Sequence, residues 1–172
     1  MSGALRVSPP SQRSGHIIRD SALGLVPETL EPILAVQELL WSGKPLRAAL
    51  VELLRLRSAL AVNCVICKAV RYDVARRDGL TEDKVRAIPA ARDSHVLSRE
   101  ERLAVAFAEG YLRFPAMLDA ALRADLERAF TAEQLRHMAL AMAFFNPLSK
   151  CAVCLGGMPE TFPVTEIQVP AR

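Results

Sequence analysis

The sequence predicts an all-α fold in a single domain, built from seven or eight short helices. Three observations carry that expectation. Hydrophobic residues make up 51% of the 172 positions but aromatic ones only 5%, so the apolar mass is mainly Ala, Leu and Val, which suits packed helices better than sheets. Apolar positions recur at helical spacing, as in Leu46, Ala49, Leu50, Leu53 and Leu54. No useful length alternates with period two, so no strand is expected. A chain of this size fits one domain and buries a substantial core.

Residues 1–26 are rich in Ser, Pro, Gly and Arg and read as a poorly ordered arm or an extended packing segment. The helical domain is expected over 27–160 and a tail over 161–172. Pro27 and Glu28 suit the first turn of the first helix, and Gly43 with Pro45 ends it. The second helix runs through "PLRAALVELLRLRSALAVN". Asn63 is expected to cap the start of a third helix, Cys64 to about Asp78, which Gly79 ends. Thr81 caps the short helix "TEDKVRAI", and Ser98 with Glu101 forms a capping box for "REERLAVAFAEGYLRF". The next helix is expected to open with Pro115 in its first turn. Thr131 caps "AEQLRHMALAMAFF", and Asn146-Pro147 is expected to break it before a last short helix through Cys154. No tandem repeat is evident, although "CVIC" and "CAVC" invite comparison.

The 22 basic and 19 acidic residues leave a net charge of +3, interspersed without a run of like sign. Solvated helix faces explain that pattern better than nucleic-acid binding. Mean hydropathy of +0.18 is high for a soluble monomer and points to helical surface covered by another copy. "MSGALRVSPPSQRSGH" has no continuous apolar run of a secretion signal, and no uncharged apolar stretch reaches eighteen residues. A cytoplasmic location without membrane attachment is expected. In that compartment, paired cysteines are more often redox-active or metal-binding than structural.

The motif Cys64-Val65-Ile66-Cys67 therefore has three readings: small core residues, a metal clip, or a redox pair. Cysteines at i and i+3 in a first helical turn share a face, so their sulfurs can reach bonding distance. Free N–H groups at a helix start favour thiolate, and a disulfide over so short a loop opens and closes easily. Arg71, four residues after Cys67, would share the same face and favour the Cys67 thiolate further. Buried free cysteines that act as small hydrophobes are common. A four-cysteine zinc site with Cys151 and Cys154 lacks the glycines and turn residues that usually flank each pair.

The segment "ELLRLRSALAVNCVICKAVRYDVARRDGLTEDKV" resembles the core of the carboxymuconolactone decarboxylase superfamily, and within it the alkylhydroperoxidase D-like branch. That branch carries a Glu, a fixed gap, Cys-x-x-Cys and a His four residues on; here Glu52 precedes Cys64 by twelve residues. "REERLAVAFAE" and "FTAEQLRHMALAMAFFNPLSK" resemble its later helices, so the likeness covers roughly 28–158. The resemblance implies an alkylhydroperoxidase D-like helical fold, assembled as a homotrimer or homohexamer, and a peroxidase cycle. It implies Cys67 as the thiolate that attacks a hydroperoxide, Cys64 as the thiol that resolves the sulfenic acid, and Glu52 as the start of a proton relay. An external thiol donor would close the cycle, and no cofactor is implied.

Arg71 stands where the branch has its histidine, and Ile66 where the well-studied members have another. Arginine cannot pass a proton near neutral pH. Arg71 would instead hold a thiolate, pair with Glu52, or anchor substrate. The superfamily's other chemistry, cofactor-free decarboxylation or isomerisation of a small carboxylate, is the alternative in which Arg71 holds that carboxylate. A non-catalytic, redox-sensing helical oligomer is a further one. Glu52 has two readings of its own: an exposed partner of Arg55, or a partly buried base on a stripe with Leu56 and Ala59. Cys151 and Cys154 read as core or interface thiols, His137 as a core or interface histidine, and His16 and His95 as loop residues. Met138 and Met142 read as packing.

Overall fold

Helix α2 (Ala48–Val62) is the axis of the molecule in the computed structural model, which describes residues 7, 8, 10–12, 14, 15, 18–113, 118–156 and 158–169. Every residue from Ala48 to Leu56 is buried, and so are Ser58 and Ala59. A helix with no solvated face belongs inside the core. It packs most extensively against α8 (Ala132–Cys154) and α6 (Arg99–Arg113). α1 (Pro27–Leu40) starts with proline in its first turn and buries Leu30, Leu34, Gln37 and Leu40. Eight α-helices appear among the described residues, so the all-α expectation holds in its main lines.

Three local expectations are corrected around residue 63. Asn63 is not an N-cap. It adopts φ 56° and ψ 38°, the left-handed conformation that closes α2. Asn tolerates that region because its short polar side chain bonds locally, here accepting from Lys68 Nζ at 2.7 Å. Cys64 itself caps α3 (Val65–Ala69), its sulfur accepting from Cys67 N. The expected helix from Cys64 to Asp78 is three elements: α3, an extended β1 (Val70–Tyr72), and α4 (Asp73–Arg77). β1 pairs in parallel with β2 (Thr165–Ile167), in the register Val70 to Thr165 and Tyr72 to Ile167. These two short strands were not foreseen, because three residues are too few to show a period of two.

α5 (Glu82–Ala87) has Thr81 as its cap, and α6 has the expected box, with Ser98 N donating to Glu101 and Glu101 N to Ser98 Oγ. α7 (Ala120–Ala129) starts at an Asp119 cap, later than expected; Pro115 lies outside the described residues. α8 is one continuous helix with Pro147 inside it, so Asn146-Pro147 does not break it. Buried Asn146 donates Nδ2 to Ser58 Oγ at 3.1 Å, which ties this turn to α2. Packing on α2 outweighs the lost backbone bond. No helix among the described residues is long and apolar enough to cross a membrane.

The left-handed turn at Asn63 sets the angle between α2 and α3. Asn63→Ala should destabilise the fold by about 1 kcal/mol, and Asn63→Gly by only a few tenths. Urea unfolding of the two variants checks this; equal losses would place the effect in the Lys68 contact.

Candidate active site

The turn after α2 delivers Cys64 and Cys67 to each other. Their sulfurs are bonded at 2.10 Å, with Cα atoms 5.2 Å apart. The two are not equivalent. Cys64 is fully buried, its N–H donating back to Ala59 O, whereas Cys67 is half-buried. Cys67 N also donates to Cys64 Sγ at 3.2 Å. That bond would favour negative charge on Cys64 whenever the disulfide opens.

Glu52 and Arg55 lie buried on α2 beside this turn. Arg55 Nε and Nη2 donate to Glu52 Oε2 and Oε1 at 2.6 and 2.7 Å. The same guanidinium donates Nη1 to Cys67 O and Nη2 to Val70 O, both at 2.7 Å. Glu52 Oε1 also accepts from Tyr72 N at 3.4 Å. The pair is thus buried rather than exposed. Burial opposes the Arg55 charge, but the Glu52 carboxylate more than offsets it and holds its pKa above the ordinary value. Arg55 also sits 5.4 Å above the Tyr72 ring. Burial first, with Glu52 adding to it, pushes the Tyr72 hydroxyl up to about 12, against the lowering by Arg55 and by the Gln37 bond.

Cys64, Cys67, Arg55 and Tyr72 share the wall of a cavity of about 480 Å³. Phe144 and Leu148 of α8 supply much of its apolar side. Residues 20–23 also line it, so this stretch of the amino-terminal segment packs against the thiol site. The sequence reading missed Arg55, Tyr72 and Gln37 as site residues. Gln37 carried a signal, a polar residue three positions after Leu34 on the buried face of α1.

Arg71 is not among the cavity-lining residues. It sits in β1, and α3 ends before it, so the helix face it was expected to share with Cys67 does not exist. Its Nε and Nη2 donate to Glu82 at 3.0 and 3.2 Å, and Nη1 donates to Lys68 O and Val70 O. The expected pairing with Glu52 is not formed; Arg55 takes that place. Burial works against the Glu82 charge, yet the bond and charge of Arg71, with Arg76 and Arg86, hold its carboxyl below the usual range. His137 is a core histidine against Leu40 O at 3.1 Å, and Met138 and Met142 are core packing. His95 is exposed, and His16 lies outside the described residues. Cys151 and Cys154 are exposed on α8, not buried in the core. Among the described residues no group of three or more His, Cys, Asp or Glu is placed to hold a metal ion.

The sequence model of the carboxymuconolactone decarboxylase family matches residues 27–110. Comparison with curated proteins gives no match. Solved structures share the fold, two of them as follows. One is an Agrobacterium tumefaciens protein of unknown function, suggested to be the antioxidant defence protein AhpD, with a TM-score of 0.66 and 20% identity over 83% of this chain and 95% of that one. The other is a cysteine-to-alanine variant of the debrominase Bmp8 in complex with 2,3,4-tribromopyrrole, with a TM-score of 0.72 and 20% identity over 89% of this chain and 91% of that one.

Two measurements test the electrostatics. Glu52→Ala leaves the Arg55 charge buried and unpaired, and should cost about 3–5 kcal/mol in urea unfolding; a loss of a few tenths would mark a surface-type pair. The Glu82 carboxyl has a depressed pKa in the folded state. Its contribution is therefore present above its ordinary value of 4.5 and is lost as pH falls below that, through the folded value. Glu82→Gln should flatten the stability profile in that acidic window while leaving the slope at neutral pH unchanged.

Proposed function

We propose that this chain, whose residues 27–110 match the sequence model of the carboxymuconolactone decarboxylase family, is a thiol-dependent hydroperoxide reductase. The observation that carries the reading is a bonded Cys64–Cys67 pair on a cavity wall, with Cys67 the more accessible member. In the reduced protein the Cys67 thiolate attacks the terminal oxygen of a hydroperoxide. An S–O bond forms, the O–O bond breaks, and the departing alkoxide takes a proton to become an alcohol. Cys64 then attacks the Cys67 sulfur, the S–S bond forms, and water leaves. Two thiols and one hydroperoxide thus give one disulfide, one alcohol and one water. An external dithiol attacks accessible Cys67 to restore the pair, and Cys64 departs as a thiolate held by the Cys67 N–H.

Arg55 fills the cationic role in this reading. It lines the cavity and bonds the Cys67 carbonyl. Glu52 acts through it, as a positioning residue that keeps the guanidinium charged and fixed. A base role for Glu52 would require its carboxylate to release Arg55. Arg71 anchors the segment after the pair through Glu82 and two carbonyls, which leaves the carboxylate-holding alternative without its cation.

A second reading, reductive dehalogenation, draws on the likeness to the debrominase and on the apolar cavity. There, two thiols and an aryl bromide would give a disulfide, the arene, bromide and a proton. The deciding assay follows reduced protein in parallel with cumene hydroperoxide and with a bromopyrrole, reading free thiols, alcohol and bromide. The hydroperoxide reading expects stoichiometric alcohol, no activity in Cys67→Ser, and over-oxidation of Cys67 to sulfinic acid in Cys64→Ser. Bromide release without alcohol, or peroxide consumption that survives Cys67→Ser, overturns it.

A further inference from the structure

Gln37 and Tyr72 form a polar pair in the wall of the cavity. Gln37 is 1% exposed; its Nε2 donates to Tyr72 Oη at 2.6 Å, and its buried Oε1 has no hydrogen-bond partner. The Tyr72 hydroxyl accepts that bond, and its own proton has no acceptor among the described residues. A buried amide oxygen left bare has given up its hydration for nothing in return, so native structures rarely keep one without a reason. Gln37 and Tyr72 both line the cavity, whose wall also holds Phe144, Leu148 and Ile167 and the polar residues Asp20, Ser21, Arg55 and Ser149.

We infer that Gln37 and Tyr72 select the substrate: they recognise an apolar organic molecule by a single hydroxyl or hydroperoxyl group. Tyr72 donates to its oxygen and Gln37 Oε1 accepts its proton. The inference rests on the hydroperoxide reading for the identity of the reacting molecule, not for the binding itself. Tyr72 keeps its proton up to about 12, so it remains a donor across the physiological range. Arg55 over its ring polarises the O–H further. An ether brings no proton for Gln37, and a carboxylate would put its charge beside a bare carbonyl oxygen. Apolar walls accept the hydrocarbon part of the ligand, which fits organic hydroperoxides better than hydrogen peroxide.

The chain's only tryptophan provides the readout, since Trp41 stacks on Tyr72 with ring centroids 4.3 Å apart. Oxidised protein, which cannot turn over, is titrated with cumyl alcohol and with cumyl methyl ether while Trp41 fluorescence is followed. The alcohol should bind about tenfold more tightly. Gln37→Met, which keeps the length of the side chain, should bring the two within about twofold by weakening the alcohol alone. Tyr72→Phe, which keeps the stacked ring, should weaken alcohol and ether alike, because the oxygen of either ligand accepts from the phenol. With reduced protein and cumene hydroperoxide, Gln37→Met should raise KM more than it lowers kcat. Equal binding of alcohol and ether, or a selectivity that survives Gln37→Met, overturns the inference, and so does unchanged binding of both ligands in Tyr72→Phe. Tighter binding of the ether also overturns it, because the amide would then present its N–H₂ to the cavity. If alcohol selectivity depends on Gln37 but no peroxide is consumed, the catalytic reading fails and the recognition pair stands. The converse result removes the pair and leaves the reductase.

Discussion

The buried ion pair between Glu52 and Arg55 is the constraint from which the site is built. A guanidinium and a carboxylate removed from water are tolerable only when nearly every donor and acceptor is met. Arg55 meets that demand by taking the carbonyls of Cys67 and Val70, and Glu52 by taking the N–H of Tyr72. Backbone groups of the 67–72 segment are thereby spent on side chains of α2. They are no longer open to a continuing helix, so α3 stops at Ala69 and the chain goes on as a short strand and another helix. The pair thus holds the thiol turn against the central helix and fixes where Tyr72 falls.

Two kinds of side chain divide the work around the cavity. The two sulfurs are unequally exposed, Cys64 buried and Cys67 half-buried, which suits the unequal tasks proposed for them. The surrounding cations are equally specialised. Arg55 lines the cavity while locked to the Glu52 carboxylate. Arg71, one of the few other buried charges, stitches β1 to α5 through Glu82 and takes no part in the cavity wall.

Much of the fold was legible in the sequence because its signals are local. The Thr81, Thr131 and Ser98–Glu101 caps, the apolar stripe of α2 and the proline start of α1 act within a few residues, and each is realised. The failures are tertiary. Cys64 to Asp78 reads as one helix until the ion pair claims its backbone groups. Asn63 is as good at leaving a helix as at starting one. Pro147 is outvoted by contacts with α2. At the site, the spacing of Glu52, Cys64 and Cys67 was visible in the sequence. That Arg55 would be the buried partner was not, because an i, i+3 pair looks the same inside a core as on a surface. Gln37 comes from a different helix, and nothing in a linear pattern brings it to Tyr72.

The cavity wall draws on stretches outside the helical unit as well as within it. Ala22 and Leu23 approach from before α1, and Ile167 from the strand that pairs with β1. The bonded sulfurs and the ion pair beside them, by contrast, belong to α2 and the turn that follows it. The flanking stretches supply wall alone, so exchanges there can reshape the cavity while leaving the disulfide, the ion pair and the Gln37–Tyr72 contact in place.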